Sequence, residues 1–161
     1  MVRALGLTRH GRRYLEEMRF RPLAVHREGL VLGDSGLAGT LLPQPQVLIA
    51  PNLRTVLLDE VLGDGFALLA VDVPATDWAR VSGVAPVRRL DVVLGERLPR
   101  PAGDRQAVAD ADGRLETALS PARGRFVLVK PDRYIAAVFP AKDVEPVAAL
   151  LRAYVRTAPA D

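Results

Sequence analysis

The chain has 161 residues, 49% of them apolar and 25% charged, with no cysteine and a net charge of +3. That length and balance fit one globular domain with a real core and exclude a disordered chain. The absence of cysteine excludes disulfides, thiol nucleophiles and cysteine-ligated metal, and every apolar run is far shorter than the roughly 20 residues that span a bilayer.

Residues 1–40 read as a basic arm or linker. Arg3, Arg9, Arg12, Arg13, Arg19, Arg21 and Arg27 outweigh Glu16, Glu17 and Glu28 there, and Leu15, Met18 and Phe20 give no confident helical period. RFRP at Arg19–Pro22 favours extended backbone before the proline. His26 to Thr40 holds four glycines and reads as turns and short strands. The opening MVRALGLTRHGRR lacks a sustained apolar stretch and a small-residue cleavage site, so no signal peptide is read and the cytoplasm is expected.

Residues 41–161 are expected to form the main domain, with 41–157 carrying the fold. Gln46–Ala50 is a short strand, Pro51-Asn52 a turn, and Arg54–Leu57 an antiparallel return. Leu58–Gly63 reads as one helical turn closed by glycine. Phe66–Val71 (FALLAV) is a continuous apolar run, the pattern of a strand buried on both faces. A helix is expected from Pro74 through Trp78 to near Gly83, then a strand over Val87–Leu94. Pro99–Gly103 is a loop, and Asp112–Leu119 a helix with Asp112 as N-cap, weakened by Gly113. Phe126–Val129 and Tyr134–Phe139 form a hairpin around Pro131-Asp132, where proline presets φ and aspartate can bond its own backbone. The last helix has Asp143 as N-cap and Pro146 in its first turn. Its apolar stripe is Val144, Val147, Ala148, Leu151 and Val155. The element order is that of an α/β, thioredoxin-like mixed sheet flanked by helices, preceded by the N-terminal arm.

Few side chains suggest chemistry. His10 and His26 are too few and too far apart for a metal site. Asp59 and Glu60 are adjacent, and neighbours on a helix do not face each other, so capping or solvation explains them better than acid–base work. Asp132, Arg133 and Tyr134 form a polar tip that turn chemistry accounts for. Trp78, the sole tryptophan, reads as packing behind the core strand. The basic residues are 20 Arg and 2 Lys, which raises nucleic acid. They are spread among 19 acids and carry no motif of a nucleic-acid module, so neither nucleic acid nor membrane is expected as a partner.

Three stretches carry a family resemblance: GTLLPQPQV (Gly39–Val47), LLDEVLGDGFALLA (Leu57–Ala70) and VLVKPDRYIAA (Val127–Ala137). In this order they resemble the C-terminal region of flavin-dependent aromatic monooxygenases, the group that includes phenol, 3-(3-hydroxyphenyl)propionate and polyketide hydroxylases. Met18–Pro22 is similar to the family's lead-in. The resemblance implies a thioredoxin-like domain without redox cysteines, attached to a flavin-binding part that uses FAD, NAD(P)H and O2 to hydroxylate aromatic rings. It implies no catalytic, cofactor-binding or metal-binding residue in this chain. No GxGxxG follows a strand, and neither Gly33-Asp34-Ser35-Gly36 nor Gly63-Asp64-Gly65 continues as the family's flavin-ribose motif does.

The thioredoxin comparison marks one place of interest. The dithiol of that fold lies just after the first core strand, and the matching stretch here is Asp72–Trp78, with no sulfur. The position of its cis-proline is taken by Arg123-Gly124-Arg125. Three functions remain open on the residues: a non-catalytic accessory and oligomerisation domain of an aromatic hydroxylase, expected to dimerise and to meet a flavin domain in cis or in trans; a free-standing small-molecule or protein binding module whose cleft is the site of the lost dithiol; and an enzyme with no nameable residues.

Overall fold

The computed structural model describes residues 36–157 apart from 85–86, 101–102 and 104. The arm reading of residues 1–40 therefore lies almost wholly outside the described residues, and so do His10, His26 and the Met18–Pro22 lead-in.

The described strands are β1 (Gln46–Ile49), β2 (Arg54–Leu57), β3 (Ala67–Val71), β4 (Arg88–Val93), β5 (Gln106–Asp110), β6 (Arg125–Val129) and β7 (Ile135–Phe139). They form one sheet in the order β2-β1-β5-β4-β3-β6-β7. Pairing is parallel between β3 and β4 and between β4 and β5, and antiparallel elsewhere. The helices are α1 (Leu58–Leu62), α2 (Arg114–Leu119) and α3 (Val144–Thr157), with a 3-10 helix over Ala75–Val81. The unit β3, 3-10 helix, β4, then the β6–β7 hairpin and α3 is a thioredoxin-like arrangement. The β1–β2 hairpin and β5 extend its sheet on the β4 side.

β3 is an interior strand between β4 and β6, and all five of its residues are buried. Ala67, Leu69 and Val71 point into a cluster with Leu58, Val61 and Leu62 of α1 and Leu115 and Leu119 of α2. Leu68 and Ala70 point to the opposite face, among Trp78, Val81, Phe126, Val144, Val147 and Leu151. Two-sided burial explains the unbroken apolar run, because both sets of alternating side chains leave water. At about 25 cal/mol per Å2 of apolar area, each fully buried leucine adds roughly 2 kcal/mol of transfer free energy.

Four details differ from the sequence expectations. The segment after Pro74 is a 3-10 helix of seven residues, shorter than the expected helix but longer than the usual 3-10 piece of about three or four residues. β5 was not anticipated: its QAVAD sequence is short and alanine-rich, and pairing on both sides makes it a strand. Helix α2 starts at Arg114, not Asp112, with Gly113 left-handed at φ 80. Asp110 at the end of β5 accepts from Gly113 N at 3.0 Å and Glu116 N at 2.6 Å, while Asp112 accepts only from Arg114 N at 3.1 Å. Asp110 therefore satisfies the exposed helix-start amides. Finally, Val155 is exposed, so the buried stripe of α3 ends at Leu151.

Candidate functional site

A cleft of about 400 Å3 opens at the C-terminal ends of β3 and β4. Its volume lies within the range of small-molecule pockets. Asp72, Val73, Pro74 and Ala75, the residues that follow β3, form one wall. This is the stretch that matches the missing dithiol. Asp91 and Val93 of β4 and Arg97, Arg100 and Arg105 complete it.

Asp72 ties the β3 exit to the β4 exit. Its backbone N–H donates to Val92 O at 2.9 Å. Its Oδ1 accepts from Leu94 N at 3.2 Å and from Arg97 Nη2. Arg123 Nη1 lies 3.8 Å from its Oδ2 and Arg123 Nη2 lies 2.6 Å from Glu116. Next to it, Gly124 N donates to Val71 O at 2.8 Å. The segment in the place of the cis-proline thus still faces the segment in the place of the dithiol, now through charge.

Asp91 is the second fixed carboxylate. It points to the same face as Trp78, whose Nε1 donates to Asp91 Oδ1 at 2.6 Å. Arg105 Nε donates to Asp91 Oδ2 at 3.0 Å, and its guanidinium stands 5.0 Å from the Trp78 ring centroid. The indole is buried and meets Phe126 edge-to-face at 5.1 Å. Packing is the expected role of Trp78; its polar edge in addition holds Asp91, which lines the cleft. Asp91 and Arg105 carry no local signal in the sequence, being an isolated Asp in a strand and an Arg after a loop.

The other constellations sit elsewhere. Arg133 Nε pairs with Asp59, which joins the hairpin tip to α1, and Arg133 has φ 69. Glu60 Oε1 accepts from Leu57 N at 3.4 Å. Asp132 accepts from Tyr134 N at 3.2 Å and from Lys130 Nζ at 3.1 Å, as turn chemistry requires. Asp59 and Glu60 do not converge with the cleft. Among the described residues, no group of three or more His, Asp or Glu is placed to hold a metal.

Sheet order, hairpin and cleft position define a thioredoxin-like domain with arginines and carboxylates where the dithiol would stand. The chain belongs to the family described as the HcaD C-terminal domain, which it matches over residues 39–154. It is 31% identical over 139 residues to 3-(3-hydroxy-phenyl)propionate/3-hydroxycinnamic acid hydroxylase of Klebsiella pneumoniae (strain 342), covering 79% of this chain and 25% of that protein. The protein of the same name from Burkholderia cenocepacia (strain HI2424) is 30% identical, with 94% of this chain and 31% of that protein covered. A crystal structure of aklavinone-11 hydroxylase in a ternary complex with FAD and aklavinone has a similar fold over 81% of this chain and 26% of that one, with a TM-score of 0.56 and 19% identity. The chain thus spans about a quarter to a third of the length of the curated relatives it matches.

Proposed function

We propose that this chain is the accessory domain of an FAD-dependent aromatic hydroxylase, working in the cytoplasm beside a flavin-binding domain and without catalytic residues of its own. The single observation that carries the reading is the family match over residues 39–154, in relatives whose names are those of aromatic-acid hydroxylases and of which the chain covers only about a quarter to a third. FAD and NAD(P)H then belong to the flavin part. Leu41, Leu57 and Leu98 are exposed on this domain and supply apolar surface for a flavin domain or for a second copy in a dimer. The test is an immunoblot of the source organism with an antibody against this domain, followed by affinity purification of the antigen. A band several-fold larger than 17.4 kDa, or flavin absorbance co-eluting in stoichiometric amount, supports the reading. A flavin-free species at 17.4 kDa overturns it.

The cleft favours a second reading, a small-molecule binding module on a scaffold that has lost its dithiol. It is compatible with the first, since an accessory domain can carry a ligand.

A further inference from the structure

We propose that the cleft between the β3 exit and the β4–β5 connection binds a small organic monoanion, a carboxylate attached to an apolar body about one ring in size. The inference rests on the binding-module reading and says what that module takes.

The charges around the cleft are unequal. Among the described residues, three guanidiniums, Arg97, Arg100 and Arg105, line it against two carboxylates, Asp72 and Asp91. Both carboxylates already face cations, Asp72 through Oδ1 with its Oδ2 buried and without a hydrogen bond, 3.8 Å from Arg123 Nη1. Asp72 holds Arg97 and the Leu94 amide, and Asp91 holds the Trp78 indole and Arg105 Nε. The fourth nearby cation, Arg123, is taken by Glu116 at 2.6 Å. Arg100 has no hydrogen-bond or ion-pair partner among the described residues. Arg105 engages Asp91 through Nε alone, and its two terminal nitrogens have no partner among the described residues. Among the described lining residues, one net positive charge with unused N–H donors therefore faces the cavity.

A carboxylate suits this surplus better than a phosphate dianion. It neutralises one charge, and a guanidinium presents two parallel donors to its two oxygens. The remaining walls are apolar, from Ala70, Val73, Pro74, Ala75 and Val92, and match a hydrocarbon body. Arg105 is held rigid by Asp91 and by the indole beneath it, so little side-chain entropy is lost when a ligand docks.

The sole tryptophan supplies the readout. Its indole N–H gives one cross-peak in a 15N-correlated NMR spectrum, and that proton lies on Asp91 beside Arg105. The chain is titrated separately with benzoate, benzamide and inorganic phosphate. Benzoate is expected to shift the Trp78 indole peak saturably, and benzamide, which lacks the charge, to leave it in place. Arg100→Gln removes the surplus charge at an exposed side chain with no partner among the described residues, and is expected to weaken benzoate about tenfold with an unchanged melting curve. Three results overturn the monoanion assignment: equal shifts with benzoate and benzamide, phosphate binding more tightly than benzoate, or an Arg100→Gln variant that binds benzoate like the parent. A Trp78 peak that none of the three compounds moves removes the binding-module reading as well.

Discussion

The indole nitrogen of Trp78 donates to Asp91 Oδ1 across 2.6 Å, and this bond locks the 3-10 connector onto the middle of β4. The pair joins packing to electrostatics. The ring fills the face of the sheet below α3, while its N–H holds a carboxylate that in turn fixes Arg105 at 3.0 Å. Because Asp91 is mostly shielded from water, its partners matter more than those of a surface acid.

Replacing Trp78 by phenylalanine keeps a ring against Phe126 but removes the donor and part of the buried area. The expected cost is about 2 kcal/mol, from a lost bond to a charged acceptor plus a small void. Urea denaturation of Trp78→Phe, Asp91→Asn and the double variant checks it. The two changes should be less than additive, because each breaks the same bond; strict additivity would mean the pair is not coupled.

The Arg133–Asp59 pair gives an asymmetric prediction. Asp59 is half exposed and Arg133 largely buried, with side-chain exposures of 51% and 16%. Asp59→Asn should cost less than about 1 kcal/mol, as exposed pairs do, and its effect should shrink in high salt. Arg133→Ala should cost more, about 2 kcal/mol, because the arginine stem also covers apolar surface. Thermal melts of both variants at low and high salt decide between a pairing role and a packing role for Arg133.

β3 should tolerate the least. Leu69 is fully buried in this interior strand, whereas Leu57 at the end of edge strand β2 is exposed. Leu69→Ala is expected to cost about 3 kcal/mol through lost transfer energy and a cavity. Leu57→Ser should stay within about 0.5 kcal/mol. Denaturant midpoints of the two variants test this, and a Leu57→Ser midpoint shifted like that of Leu69→Ala would contradict the burial argument.

The legible parts of the fold were those in which local chemistry and tertiary environment agree. FALLAV needs no partner to be recognised, and neither does the Pro131-Asp132 turn between two apolar runs. β5 was hidden because Gln106–Asp110 is a strand only by virtue of β1 and β4 on either side. The location of the cleft followed from the place of the missing dithiol, but its occupants did not. Asp91, Arg97, Arg100 and Arg105 come together from one strand and the connection that follows it, and their spacing has no period that marks a site. The exposure of Val155 was equally out of reach, since a helical stripe says which face is apolar and not where the sheet beneath it ends.

Gly124 offers a test of backbone geometry alone. It sits at φ 71 in the turn before β6, and its N–H closes onto Val71 O at 2.8 Å, one residue before Asp72 of the cleft wall. A Cβ built there meets nothing within 4 Å, so alanine would create no clash with neighbouring groups. Any cost of Gly124→Ala must come from holding an L-residue in the left-handed region, about 1 kcal/mol. The hydrogen bond to Val71 and the Arg123 contact with Asp72 should survive, so benzoate should shift the Trp78 indole peak as in the parent. A loss of stability of about 3 kcal/mol or more, or a lost benzoate response, would instead mean that the turn itself moves and carries Asp72 of the cleft wall with it.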